Sequence, residues 1–453
     1  MAEMGRNHSI RANGSTEGLA ALLQTHRSGK PVGIYSICSA NRYVLEAGIE
    51  QAKQDGSLLL IESTSNQVNQ FGGYTGQTPA DFARFIEQLA AERDLPFEQI
   101  ILGGDHLGPH VWRREPAKAA MEKARTLVRD SVLAGYTKIH LDTSMRCADD
   151  TGGRHHALDD ETVSARAAEL CAAAEEASKE LGEEAPSPLY VIGTEVPIPG
   201  GELADGKAPE VTRTDALRKT LEVAKRAFVS RGLEKAWERV IAVVVQPGVE
   251  FGDATIFAYD REKAEALSSF ALKHWHGVYE AHSTDYQPAA ALEQMVQDHF
   301  AILKVGPWLT FAFREAVFAL AALEEEWLGN RDGAKLSKVR EELDLAMVGN
   351  PVFWKDYYHG DETALRLARK YSYSDRSRYY WPVPRVAEAL ERLAANLEAS
   401  PPPNSVLSQF LPKQSEMVRD GCLSLSAKEL IRSKAREVLE VYASACGRMR
   451  QGN

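Results

Sequence analysis

The chain has 453 residues, with 64 acidic and 53 basic side chains and a formal net charge of −11. The acidic excess and the lack of a concentrated basic tract argue against a nucleic-acid partner. No stretch approaches the roughly 20 apolar residues of a membrane-spanning helix, and the polar first residues hold no apolar signal core. Five scattered cysteines without a CxxC pair suit a reducing compartment. We therefore expect a cytoplasmic protein that does not contact membranes.

Eight short apolar runs, each followed by a helix-like segment, occupy most of the chain. The runs are Pro31–Ser36, Leu58–Glu62, Gln99–Gly104, Thr137–Leu141, Leu189–Thr194, Val240–Gln246, Gly277–Ala281 and Phe300–Val305. The helix-like segments are approximately 42–55, 79–93, 115–134, 160–181, 213–234, 259–274, 288–299 and 310–326. Strands that alternate with helices indicate a parallel sheet, and eight such units predict an α/β fold of the (β/α)8 TIM-barrel type.

The sequence divides into three predicted parts. Residues 1–16 are polar and predicted to be flexible, residues 17–326 form the barrel, and residues 327–453 form a mostly helical extension packed on it. Two long segments after predicted strands, Arg146–Asp159 and Pro197–Thr212, are typical of substrate lids, although surface decoration is the alternative.

Polar residues follow the third and seventh runs, where a barrel places its active site. Asp105 and His106 follow run three, and an adjacent carboxylate and imidazole can divide proton transfer and metal binding between them. Glu280 and His282 are two positions apart, so they share one side of an extended strand. We predict His106 and His282 as metal ligands and Asp105 as a catalytic group. The alternative is a purely structural role in helix capping.

Three further carboxylates are candidates at other strand ends. Glu250, after run six, completes a mixed nitrogen and oxygen ligand set that suits zinc, manganese or another divalent ion. Glu195, after run five, is a second acid or base if the neighbouring loop closes over it and raises its pKa. Asp142 is placed to bind substrate hydroxyls. Each of these carboxylates could instead bond only loop amides.

The C-terminal extension contains the unusual stretch YSYSDRSRYYW, Tyr371–Trp381. Arg376 and Arg378 in this stretch are bidentate donors that could bind a phosphate or a carboxylate. A structural pair of arginines between aromatic rings is an equally good interpretation.

Several motifs resemble the class II, metal-dependent aldolase superfamily. They are LGGDHLGP, KIHLDTSM, GTEVPIPGGE, QPGVEFGD and LKVGPWLTFAFREA, in this order. A closer resemblance, over nearly the whole chain, is to the family of tagatose-bisphosphate aldolase accessory subunits, GatZ/KbaZ, carried by IYSICSAN, LLIESTSNQVNQFGGYTG, GGDHLGP, YEAHSTDYQ and DRSRYYWP.

The resemblance implies a divalent metal ion, with zinc as in the class II aldolases and manganese or another ion as alternatives, and a sugar-phosphate substrate. The aldolases' Gly-Gly-Ser phosphate turn is replaced here by His282-Ser283-Thr284-Asp285. Ser283, Thr284 and the backbone near Gly306 remain as phosphate contacts, with Ser36 and Glu280 as further substrate-binding candidates.

Two functions fit this resemblance. One is C4 epimerisation of a ketohexose phosphate, D-tagatose 6-phosphate to D-fructose 6-phosphate, by retro-aldol cleavage, aldehyde rotation and re-addition, with Asp105 and Glu195 as the acid/base pair. The other is a non-catalytic subunit that stabilises a separate class II aldolase; association between copies of this chain is also left open. ATP-dependent phosphoryl transfer is not expected, because no GxxxxGK followed by Ser or Thr occurs.

Overall fold

The computed structural model describes residues 13–151, 158–193 and 209–447. Its strands are β1 (Ile34–Ile37), β2 (Leu59–Thr64), β3 (Ile100–Leu107), β4 (Lys138–Leu141), β5 (Leu189–Ile192), β6 (Val240–Val245), β7 (Glu250–Phe251), β8 (Ile256–Phe257), β9 (Val278–Ala281) and β10 (Ile302–Val305). Its helices in and around the barrel are α1 (Asn13–Arg27), α2 (Arg42–Asp55), α3 (Pro79–Glu92), α4 (Ala117–Leu133), α5 (Asp160–Glu180), α6 (Thr214–Val229), α7 (Glu234–Trp237), α8 (Arg261–His274), α9 (Ala289–Gln297) and α10 (Pro307–Leu328). Those that follow are α11 (Val339–Gly349), α12 (Glu362–Tyr371), α13 (Pro384–Ala399), α14 (Asn404–Phe410), α15 (Pro412–Arg419) and α16 (Ala427–Ala445).

Eight of the strands form a closed, all-parallel barrel. Their order around it is β1-β10-β9-β6-β5-β4-β3-β2, while β7 and β8 form a separate antiparallel hairpin between β6 and α8. The predicted (β/α)8 fold is therefore confirmed, and each of the eight apolar runs overlaps one barrel strand. The helix starts follow ordinary capping chemistry: the Thr78 side chain and Asp81 form a reciprocal capping box at α3, and Pro79 fills its first position.

The barrel interior has an apolar lower layer and a charged upper layer. The lower layer packs aliphatic residues such as Ile34, Leu60 and Val191 against Leu19 and Leu23 of α1. The upper layer holds fully buried ionic side chains on β2, β4, β9 and β10. Successive strand residues point to opposite faces, so every second side chain of a barrel strand points into the interior.

Helix α1 covers the amino-terminal end of the barrel. The sequence predicted a flexible segment over residues 1–16. The chain is helical from Asn13, so that prediction is wrong for residues 13–16. The signal for α1 is the apolar spacing of Leu19 and Leu23, which face the barrel floor. Residues 1–12 lie outside the described part of the chain.

A histidine pair joins α1 to the loop before β10. His26 Nε2 lies 3.0 Å from His299 Nδ1, and His26 Nδ1 lies 2.7 Å from the Val32 carbonyl oxygen. Burial lowers the pKa of His26 and lowers the pKa of His299 to about 4. Both rings are therefore neutral in the folded protein at neutral pH.

We expect this pair to make the protein less stable in mild acid. In the unfolded chain both imidazoles titrate near pH 6.5, so between about pH 6.5 and about pH 4 the unfolded state binds more protons. The free energy of unfolding therefore decreases as the pH falls through this range, which melting curves across it would measure. His299→Asn, whose side chain tolerates the left-handed φ of 76° at this position, should flatten the dependence; an unchanged pH profile in this variant would refute the assignment.

The C-terminal segment is helical, as predicted, and its last helix belongs to the barrel wall. Helix α16 packs mainly against α10 and α2, and also against α9 and β1. Arg432 of α16, 5% exposed, lies 2.9 Å from Glu46 and 3.1 Å from Glu50 of α2. Helix α16 thus lies in the outer ring beside α2 and α9.

Arg432→Met is expected to lower the free energy of unfolding by about 3 kcal/mol, because it leaves the buried Glu46 with one fewer cationic partner. Urea unfolding would measure the loss. Lys428→Met, on the same helix, removes an exposed pair with Glu391 and should cost less than about 1 kcal/mol. Equal losses in the free energy of unfolding would show that the buried Arg432 pairing stabilises the protein no more than the exposed Lys428 pairing.

Among the described residues, the structure has no helix whose length and apolar character would allow it to cross a membrane.

Candidate active site

The carboxyl ends of β3, β4, β9 and β10 bring polar side chains together at the top of the barrel. Strand β3 carries Asp105, the end of β4 carries His140, β9 leads into His282, and β10 carries Lys304. All four are at most 6% exposed. Buried polar groups at this end of a barrel are typical of an active site.

Three imidazole rings meet at the centre of this cluster. The ring centroids of His106, His140 and His282 lie 5.0 to 5.2 Å from one another. Each ring has a carboxylate neighbour: His106 Nδ1 is 2.7 Å from Asp142 Oδ2, His140 Nδ1 is 3.1 Å from Asp105 Oδ1, and His282 Nε2 is 2.9 Å from Glu280 Oε1. Carboxylate–imidazole pairs of this kind orient metal-ligating histidines.

One group of four residues has the arrangement that a metal ion requires. The potential ligand atoms of Asp105, His140, Glu280 and His282 all lie within 4.8 Å of one another. Among the described residues, the buried Nε2 atom of His140 has no hydrogen-bond partner. A buried polar atom without a partner needs an explanation, and a cation beside it supplies one. The donor set of imidazoles and carboxylates therefore fits a divalent ion such as zinc or manganese.

A buried ionic network lies beneath these ligands. Lys138 Nζ is 2.8 Å from Glu62 Oε1 and 2.6 Å from Glu280 Oε2. Lys304 Nζ is 2.9 Å from Glu62 Oε2 and 3.1 Å from Asp105 Oδ1. Each lysine thus bridges two carboxylates, which compensates for burying the charges and holds Asp105 and Glu280 in place.

The network sets the charge of the groups above it. Burial alone would raise the pKa of Asp105, but His106 and Lys304 together hold it well below its usual range. Burial lowers the pKa of His282 to about 4. At neutral pH Asp105 is therefore an anion and His282 a neutral imidazole, the states in which each binds a cation.

Two residues of the site have unusual backbone conformations. His106 has a φ of 51° and Ser283 a φ of 53°, both in the left-handed region that L-residues with side chains rarely adopt. Such strain accumulates at functional sites, where the surrounding structure enforces it. Here it aims the loops after β3 and β9 towards the same space.

A cleft opens above the cluster. Asp105, His106 and His282 form its floor, while Arg378 and Tyr379 of the C-terminal extension contribute part of its wall. Other lining residues are Cys38, Thr64, Asn66, Gln67, Tyr74, Phe251, Ser283, Asp285, Lys304, Val305, Gly306 and Pro307.

Most of the predicted site residues lie at this cleft or directly below it. Asp105, His106, His282, Ser283, Gly306 and Arg378 line it, and Asp142 and Glu280 bond the histidines from behind. Glu195 lies outside the described residues, as do residues 152–157 and 197–208 of the two predicted lids.

Several predicted roles do not agree with the structure. His106, predicted as a metal ligand, bonds Asp142 and is not in the four-residue ligand group. Glu250 lies on the β7–β8 hairpin, where its Oε1 accepts a hydrogen bond from the Phe251 amide, and it is not in the four-residue ligand group. Ser36 is fully buried and donates to Glu62, and Thr284 donates to the Lys304 carbonyl, so both hydroxyls are used within the barrel wall. Arg376 is buried over the Tyr357 ring.

His140 and the two lysines are the residues that sequence reasoning missed. The signal was present in β4 and its end, where Lys138, His140 and Asp142 alternate with apolar residues. In a barrel strand, such a polar alternation puts every second side chain into the interior. This alternation would have indicated His140, which belongs to the ligand group, whereas the predicted ligand Glu250 does not.

Comparisons with known proteins agree with this geometry. The family described as D-tagatose-1,6-bisphosphate aldolase subunit GatZ/KbaZ-like matches residues 19–447, which confirms the predicted resemblance. A crystal structure of a probable tagatose 6 phosphate kinase from Sinorhizobium meliloti 1021 is 44% identical, with a TM-score of 0.82, and the match covers 91% of this chain and 100% of that chain.

Two aldolase structures are far more distant. The YdjI aldolase from Escherichia coli K12 is 12% identical with a TM-score of 0.40, covering 83% of this chain and 94% of that chain. Fructose-bisphosphate aldolase from Campylobacter jejuni is 14% identical with a TM-score of 0.43, covering 85% and 93%. At these values neither match carries an argument about this chain.

Proposed function

Since the chain belongs to the D-tagatose-1,6-bisphosphate aldolase subunit GatZ/KbaZ-like family, we propose that it is itself an enzyme of ketose phosphates. The reaction is the metal-dependent interconversion of D-tagatose 6-phosphate and D-fructose 6-phosphate by inversion at C4. The observation that carries this proposal is that three imidazoles and the ionised Asp105 meet at or directly below one cleft, with Arg378 in its wall. A cytoplasmic location is part of the same proposal.

His140, Glu280 and His282 would hold the ion, with Asp105 and His106 beside them, and zinc is our first choice. When bound, the ion acts as a Lewis acid on the sugar's carbonyl oxygen. The Lys138 and Lys304 pairs keep the carboxylates below it in fixed positions.

The chemistry that we propose for this chain is proton transfer at the C4 oxygen. Asp105 removes the proton from the C4 hydroxyl as the C3–C4 bond breaks. It returns the proton to the C4 oxygen when the bond re-forms on the other face of the rotated aldehyde. Removal of the C4 hydrogen itself is less favourable, because C4 is not adjacent to the carbonyl carbon. Glu195 remains our proposed second acid or base, and Arg378 our proposed phosphate ligand.

The fragments formed by cleavage must stay in the cleft until the bond re-forms. We propose that the 197–212 segment covers them, with Gly200 and Gly201 as a hinge beside Glu195. Without a cover, the two three-carbon fragments would diffuse away as trioses.

The second candidate function is a non-catalytic subunit of a separate class II aldolase, which the word subunit in the family description favours. A purely structural subunit has no need of a buried metal-type ligand group with a partnerless His140 Nε2. ATP-dependent phosphorylation is a poorer explanation, since the sequence contains no nucleotide loop.

One experiment separates these functions. The purified, metal-loaded protein is incubated with D-tagatose 6-phosphate in deuterated water, and products are followed by NMR. We expect D-fructose 6-phosphate without ATP, without an aldolase subunit and without deuterium at C4. Product only with ATP or only with an added aldolase would reject the epimerase, and deuterium at C4 would reject the retro-aldol route.

A further inference from the structure

Helix α10 begins at Pro307, so its first amides lie beside the part of the cleft that Gly306 and Pro307 line. In barrels, the loops after the last two strands and a nearby helix N-terminus frequently bind phosphate, because free backbone N–H groups and the helix dipole attract anions. The state of these amides therefore decides whether an anion can bind at this end.

In this protein a side chain of the chain itself occupies that position. Asp285 Oδ1 accepts hydrogen bonds from the amides of Gly306 at 3.0 Å and Trp308 at 2.8 Å. Pro307 has no N–H, and the amides of Leu309 and Thr310 donate to the Gly306 carbonyl. Each amide of this first turn therefore already has an acceptor, and the acceptor nearest the cleft is a carboxylate.

Arg378 is a cation that lines the cleft, and it acts electrostatically on Asp285. Its Nη1 contacts the carbonyl oxygens of Ser374 and Asp375, and its Nη2 donates to the Tyr379 hydroxyl at 3.0 Å. Among the described residues it forms no ion pair with a carboxylate, whereas Lys304, which also lines the cleft, is paired with Glu62 and Asp105. A half-buried guanidinium without a carboxylate is a ready site for one phosphate.

From these two observations we propose that the cleft selects sugars with a single phosphate. Arg378 binds that phosphate, and Asp285 excludes a second one by occupying the α10 amides, a usual anion site of a barrel, with its own negative charge. The proposal rests on the proposed function and deepens it: the substrate class is ketohexose monophosphates, and ketohexose bisphosphates are rejected. Like charges brought together in a desolvated pocket are a common means of excluding a wrong ligand.

Isothermal titration of the metal-loaded wild-type protein with fructose 6-phosphate and fructose 1,6-bisphosphate tests the proposal directly. We expect the monophosphate to bind at least about tenfold more tightly, despite the lower charge. In Asp285→Asn, which keeps an oxygen acceptor for the two amides but removes the charge, this preference should shrink at least about tenfold. Asp332→Asn, an exposed carboxylate in the loop after α10, should leave the ratio unchanged.

A separate variant tests the role of Arg378. Arg378→Gln should weaken binding of fructose 6-phosphate by about tenfold or more while leaving unphosphorylated fructose unaffected. If Arg378→Gln changes neither, Arg378 is not the phosphate ligand and the proposal is overturned.

Tighter binding of the bisphosphate than of the monophosphate by the wild-type protein also overturns it, even if the Asp285→Asn variant fails to fold. Monophosphate selectivity without epimerisation would keep this inference and remove the proposed function. Epimerisation together with a preference for the bisphosphate would keep the proposed function and remove this inference. Binding of neither sugar phosphate would remove both the inference and the proposed function.

Discussion

His140→Ala is expected to abolish metal binding and epimerisation together. The imidazole belongs to the proposed ligand group, and its buried Nε2 atom has no hydrogen-bond partner among the described residues. Changes to residues that only support ligands already lower metal affinity 10- to 100-fold, so loss of a ligand should exceed about 100-fold. Metal content per chain, measured by mass spectrometry after dialysis, and turnover of D-tagatose 6-phosphate should fall in parallel.

His26→Ala is the matched control. His26 is also buried, but it lies at the opposite end of the barrel on α1. This variant should lose stability and keep its metal. A His140→Ala protein that is folded and retains one metal ion per chain would remove His140 from the ligand group.

Asp105→Asn is expected to reduce turnover by about 10²- to 10⁴-fold, the range of general acid–base catalysis. The amide retains an oxygen near Lys304 and His140, but it cannot accept the proton from the C4 hydroxyl. Initial rates in both directions would measure the effect, and triose release should fall with them, because cleavage itself requires this proton transfer.

A second carboxylate distinguishes proton transfer from loss of a buried charge. Asp298, 7% exposed, accepts hydrogen bonds from Tyr259 and Arg261 near the other end of the barrel. Asp298→Asn should affect melting temperature more than turnover. If Asp105→Asn retains more than about a tenth of wild-type turnover, Asp105 is not the group that moves the proton.

The fold was accessible from sequence because each strand is a short apolar run and each helix has its own local pattern. These signals extend over ten to twenty residues and do not depend on distant contacts. Helix α1 was missed although Leu19 and Leu23 have helical spacing, because the polar residues before them suggested a flexible segment.

The site was only partly accessible. Asp105, His106, Glu280 and His282 stand at strand ends, where barrel geometry directs attention. His140 and Lys304 lie within or at the end of strand sequences that otherwise predict packing, and only the closed barrel shows that they face the same interior as Asp105. Inward direction is a property of register, and register depends on neighbouring strands.

The two arginines of the C-terminal stretch show a further limit. Arg376 and Arg378 are two residues apart with similar neighbours, yet one is buried over Tyr357 and the other lines the cleft. A short 3₁₀ helix, Arg376–Tyr379, turns them in different directions. Sequence spacing alone does not distinguish such a pair.

The position of α16 beside α2 and α9 has a consequence for how the protein is made. A ribosome delivers β1 and α2 early and α16 after every barrel strand has emerged. Until residues 427–445 arrive, one face of the wall that includes β1 and α2 has no covering helix. Native stability therefore depends on a helix made after every barrel strand, and the nascent barrel exposes apolar surface, which favours aggregation, until that helix has been made.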